Sequence, residues 1–163
     1  MDVYLIRHAE AVARDPAGQM ADEDRALTDT GRTQAQRIAR NLPERGAKIE
    51  RLFVSPTVRT RQTAEPLMAA WGLTGDAVVD CPELAPGGKI RKLAKRLSKH
   101  PASAIGLVGH RPDLNDFAAW LIGSRKVRIA IDKGGVALIR VDDEDDWAKG
   151  AGRLIWLLPE NWI

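Results

Sequence analysis

A single cysteine, Cys81, stands in 163 residues, so no internal disulfide can brace the fold. It precedes Pro82 with no phosphate-cradling loop after it, which favours a packed cysteine over a thiol nucleophile. Hydrophobic runs are short, and none approaches the roughly 20 residues that cross a bilayer. Met1-Asp2-Val3-Tyr4 has no basic segment followed by an apolar one, so no signal peptide is read and the cytoplasm is the expected location. A net charge of +3 is too small to imply nucleic-acid binding, and the basic residues lack the interleaved aromatics of a single-strand platform. A glycine-rich P-loop is missing, and three histidines are too few for a metal-ligand cluster.

The remainder is an ordinary globular composition, 44% hydrophobic and 29% charged, and the length fits one domain over residues 1–163. Val3-Tyr4-Leu5-Ile6, Arg51-Leu52-Phe53-Val54 and Ile105-Gly106-Leu107-Val108 are short apolar runs that predict buried strands, with a further short strand at Val78 and Val79. Thr28 reads as the N-cap of a helix closed by Pro43 and Gly46, and a second helix is expected from about Thr57 to Trp71, stopped by Gly72. Residues 89–99 are amphipathic through Ile90, Leu93, Ala94 and Leu97, and His100 reads as the cap of that helix. Pro112 suits the first turn of another. Val136 to Val141 and Leu154 to Leu158 predict an antiparallel hairpin, with the acidic run Asp142 to Asp146 in its solvated loop. Strands alternating with helices imply an α/β protein of three layers, α/β/α, whose sheet is mostly parallel with an antiparallel C-terminal hairpin.

Reactive residues lie just past three of these strands: Arg7-His8-Ala9-Glu10, Ser55-Pro56-Thr57-Val58-Arg59 and Gly109-His110-Arg111-Pro112. Ligands of open parallel sheets bind outside the carboxyl ends of the strands, so the three segments are expected to meet at one rim. Guanidinium stays charged and matches phosphate oxygens two at a time, and neutral imidazole can act as a nucleophile. Histidine between arginines therefore suits phosphoryl transfer. Taken singly, each residue has a plainer role at a strand end or on a helix surface; their shared placement carries the reading.

These residues resemble the signatures of the histidine phosphatase superfamily, also called phosphoglycerate mutase-like. Arg7-His8-Ala9-Glu10 looks like its Arg-His motif, and Leu27-Thr28 with Gly31 like its Leu-Thr-x-x-Gly element. Ser55-Pro56-x-x-Arg59-x-x-Gln62-Thr63 is similar to the second arginine motif, and Gly109-His110 to the late histidine. The short chain, Pro82-Glu83-Leu84-Ala85-Pro86 and Gly109-His110-Arg111-Pro112-Asp113-Leu114 look most like the branch of small phosphohistidine phosphatases. The resemblance implies that His8 is phosphorylated transiently, that Arg7 and Arg59 hold the phosphoryl group, that His110 hydrogen-bonds it and that water then hydrolyses phospho-His8. No metal or organic cofactor is implied. Glu83 is either an acid for the leaving group or a turn residue, and Arg25 either reaches substrate or makes a surface salt bridge. Glu10 could orient the pocket.

The expected activity is hydrolysis of protein phosphohistidine, with a phosphorylated protein as partner and phosphate or other oxyanions in the site. A phosphatase of small phosphate esters is the neighbouring alternative. A non-catalytic module that binds phosphorylated partners is the distant one, since a binder needs no nucleophile. Lys89, Arg91, Lys92, Lys95, Arg96 and Lys99 would give such a module a basic helix, although a solvated face is the simpler reading. A mutase needs an enclosing insertion, which is not seen.

Overall fold

The computed structural model describes residues 1–124, 126–142 and 147–163. One six-stranded sheet organises the chain, in the order β3 (Val78–Asp80), β2 (Arg51–Val54), β4 (Ala104–Gly109), β1 (Asp2–Arg7), β5 (Val136–Val141) and β6 (Gly152–Leu158). The first four run parallel, and β5 pairs antiparallel with both β1 and β6. Helices α1 (Asp29–Glu44) and α2 (Val58–Trp71) cover one face, and α3 (Ile90–Leu97) and α4 (Asp113–Leu121) the other.

Strand side chains alternate between faces, and the two cores follow that alternation. Tyr4, Ile6, Leu52, Val54 and Val108 pack with Ile38, Leu42 and Leu67 of α1 and α2. Val3, Leu5, Phe53, Ile105 and Leu107 pack with Leu93, Leu97, Leu114 and Phe117 of α3 and α4. Cys81 is fully buried in this second core, where burial, with Glu83 beside it, pushes its thiol up to about 12; it is an inert packed side chain.

Thr28 caps α1: its Oγ1 accepts from the Gly31 amide at 3.0 Å and donates to Glu10 Oε1 at 2.8 Å. Gly31 is required here, because a Cβ on it would lie 1.9 Å from the Glu10 carbonyl oxygen. Three expectations need correction. Helix α1 runs through Pro43 to Glu44, because a proline this close to the end breaks little of the remaining ladder; Gly46, at φ 80°, follows the end. Ser98, not His100, caps α3, and the His100 ring packs edge-on against Phe53 at 5.5 Å. Strand β6 begins at Gly152, two residues early. Of the acidic run, Asp142 pairs with Arg153 at 2.6 Å, and residues 143–146 lie outside the described residues.

Candidate active site

Sheet order places β2, β4 and β1 side by side, so their carboxyl ends are neighbours. The His8 amide donates to the Gly109 carbonyl and the Ser55 amide to the Val108 carbonyl, both at 3.0 Å, extending the ladder to the first loop residues. The three segments predicted to converge do so. A cleft of 190 Å³ opens over them, lined by Arg7, His8, Ala11, Arg14, Asp22, Arg25, Arg59, Pro86, His110, Arg111 and Lys133. A larger hollow of 970 Å³ between α3 and α4 contains no histidine.

His8 and His110 face each other with ring centroids 5.2 Å apart. His8 Nδ1 lies 2.7 Å from the Ala9 carbonyl oxygen, so Nδ1 carries the proton and donates, which leaves the Nε2 lone pair for the cleft. Burial lowers the pKa of His8 to about 4; the Ala9 carbonyl opposes this, and Arg59, Arg7 and Arg25 add to it. The ring is thus neutral, with an unprotonated nitrogen, throughout the physiological range.

His110 has the opposite tautomer. Its Nδ1 accepts from Arg59 Nη2 at 3.2 Å, and its Nε2–H donates to Ser55 Oγ at 2.8 Å. Burial first, then Arg59 and His8, lower its pKa to about 3.

Arg59 sits in the first turn of α2 and is 2% exposed, an arginine enclosed by protein. Its Nη1 donates to the Asp22 carbonyl and its Nη2 to Asp22 Oδ2 at 2.9 Å. Arg7, the last residue of β1, donates to the Ile131 carbonyl at 3.1 Å. The Nε atoms of both arginines are buried without a partner, a state shared among the described residues only by Arg51 and Arg96. A buried donor left unpaired costs on the order of 1–3 kcal/mol.

The motif around Arg59 fastens the site. Thr63 Oγ1 accepts from the Ala9 amide at 3.1 Å and donates to the Arg59 carbonyl at 2.7 Å. Gln62 Oε1 accepts from the Leu27 amide at 2.7 Å, tying down the long loop of residues 11–27. Arg25 lines the cleft and pairs with Asp22 at 3.1 Å. Glu10 anchors α1 and does not line the cleft.

Glu83 does not reach the cleft. Its carboxylate accepts from Cys81 Sγ at 3.5 Å, and the residue borders a separate hollow with Leu84, Gly88 and Leu93. The 3-10 turn Pro82–Leu84 aims it there, so the geometry agrees with the turn reading.

Three charged lining residues, Arg14, Asp22 and Lys133, escaped the motif reading, and Arg111 was read within the Gly109 to Leu114 motif without a role of its own. Asp22 sits in a 3-10 turn inside the long loop and pairs with Arg14, Arg25 and Arg59 at once. Its position three residues before Arg25 is the only sequence signal it offers.

Residues 3–88 match the model of the histidine phosphatase superfamily (branch 1). An uncharacterised protein of Picosynechococcus is 32% identical over 100% of this chain and 99% of its own length. The phosphohistidine phosphatase SixA of Escherichia coli is 31% identical over 69% of this chain and 68% of its own. A solved structure of the protein histidine phosphatase SixA complexed with tungstate superposes with a TM-score of 0.84, at 24% identity, over 99% of this chain and 98% of that one. The family match, the full-length relative and the shared fold place the chain: it belongs to the histidine phosphatase superfamily (branch 1), as an enzyme resembling SixA.

Proposed function

We propose that the chain hydrolyses protein-bound phosphohistidine through a phospho-His8 intermediate. The substrate enters as the phosphoimidazolium, already protonated on the nitrogen away from phosphorus. His8 Nε2 attacks phosphorus in line, the bond from phosphorus to the substrate imidazole breaks, and that imidazole departs neutral with the proton it brought. Arg7 and Arg59 neutralise the equatorial oxygens, and the expected hydrogen bond from His110 to the same group would replace the one its Nε2–H gives to Ser55. Water then attacks phospho-His8, releasing phosphate and restoring the imidazole.

One observation carries the substrate choice: among the described residues the only carboxylate lining the cleft, Asp22, is held ionised. Burial opposes its ionisation, but Arg59, Arg25 and Arg14 outweigh burial and draw its pKa below the ordinary value. No protonated acid therefore faces His8 among the described residues. An alkoxide leaving group needs that proton; an imidazole that brings its own does not. The tungstate bound by the SixA structure, a tetrahedral oxyanion, supports a phosphoryl-sized ligand for the shared fold.

Side-by-side turnover of a phosphohistidine peptide and a sugar phosphate tests this. General acid catalysis contributes about 10²–10⁴ in rate, so the ester should lag by at least about 100-fold. Comparable rates on both would overturn the reading and favour a phosphatase of small esters.

A further inference from the structure

The cleft carries more positive charge than one phosphoryl group requires. Among the described residues six basic side chains line it, Arg7, Arg14, Arg25, Arg59, Arg111 and Lys133, against the single carboxylate of Asp22. With both histidines neutral, six against one leaves five positive charges, and a dianionic phosphoryl leaves three uncompensated.

The excess is unevenly placed. Asp22 already engages Arg14, Arg25 and Arg59. Arg111 and Lys133 make no ion pair or side-chain hydrogen bond with another described residue, and both are exposed at the mouth. Their backbones are nonetheless fixed. Arg111 directly follows His110, and its charge acts on Arg7, where burial and then Arg111 lower the pKa against the opposing Asp132. Lys133 precedes Gly134, whose amide donates to the Arg7 and His8 carbonyls at 3.2 Å. Two unspent cations thus stand on short, anchored segments beside the nucleophile.

We propose that Arg111 and Lys133 form an anion subsite that takes a second negatively charged group of the substrate, a few bonds from the transferred phosphoryl. This rests on reading the cleft as a phosphoryl site. In a phosphohistidine protein the group is an acidic side chain beside the phosphorylated histidine; in a small substrate it is a carboxylate. Opposite charges across such a mouth set preference and encounter rate more than bulk affinity.

Calorimetric binding of methylphosphonate, phosphonoacetate and 3-phosphonopropionate at low ionic strength isolates the subsite without turnover. Two exposed pairs predict that the better carboxylated ligand binds roughly fivefold more tightly than methylphosphonate. The advantage should shrink in about 0.5 M salt, where charges are screened within a few ångström. It should vanish in the Arg111→Gln/Lys133→Gln double variant. Equal binding of all three ligands by the native protein overturns the proposal, as does an advantage that survives the double variant. A peptide arm compares phosphohistidine flanked by aspartate or by asparagine. A kcat/KM preference for aspartate that disappears in the double variant supports the subsite and identifies its source as protein. If the peptides are not hydrolysed at all, the phosphohistidine reading fails while the phosphonate result still decides the subsite.

Discussion

Arg59 Nη2 donates to His110 Nδ1 at 3.2 Å, and that bond fixes which nitrogen of His110 carries the proton. Because Nδ1 accepts, the proton resides on Nε2 and points to Ser55. The facing His8 has its proton on Nδ1 instead. Two histidines 5.2 Å apart are thus held neutral in opposite tautomers. Long-range nitrogen–proton correlation spectra at neutral pH should report His8 as the Nδ1–H form and His110 as the Nε2–H form. The same tautomer in both rings would refute the assignment.

Ser55→Ala should remove the 2.8 Å partner of the buried His110 Nε2–H and leave it only Thr57 Oγ1 at 3.5 Å. The expected cost is about 1–3 kcal/mol in urea unfolding. A change below the error of the denaturation midpoint would mean that the proton is elsewhere.

The depressed histidine pKa values make a signed stability prediction. In the unfolded chain both histidines titrate near the ordinary 6.5, whereas burial brings folded His8 and His110 down to about 4 and about 3. Below pH 6.5 the unfolded state binds more protons, so stability is fully present above that pH and is lost as the pH falls towards 4. The Asp22 carboxyl, held below its ordinary value, adds its loss only below that window. Urea midpoints should decline between pH 6.5 and 4, and the His8→Asn/His110→Gln double variant should flatten this decline. An unchanged slope in the double variant would assign the loss to other groups.

Asp22 competes with any incoming phosphoryl group for Arg59. Removing that carboxylate as Asp22→Asn should tighten inorganic phosphate binding roughly threefold to tenfold, because an ion pair near the surface is worth about 1 kcal/mol. Weaker phosphate inhibition in the variant would instead make Asp22 a positioning residue for Arg59.

The parts of this fold that were legible in the sequence are those with a local signal. Runs such as Val3 to Ile6 could only be buried strands, and the threonine-capped helix at Thr28 carried its own start. The convergence of His8, Arg59 and His110 followed from parallel topology, because parallel strands put their carboxyl ends on one rim. Glu83 and Asp22 were harder for the same physical reason. A carboxylate's role depends on where its loop turns, and neither the 3-10 turn at Pro82–Leu84 nor that at Asp22–Asp24 is set by hydrophobic period. Lys133 reaches the site only through the bonding of Gly134 to Arg7 and His8, a contact across more than 120 residues that leaves no mark in local pattern.

Which atom receives the phosphoryl group decides the mechanism. The decisive measurement is to mix the protein with a phosphohistidine peptide, quench into alkali within the first turnover, and map the modified residue by mass spectrometry. One phosphoryl group on His8, absent in His8→Ala together with turnover, is the predicted result. Phosphorylation of another side chain, or turnover that persists in His8→Ala, would contradict it.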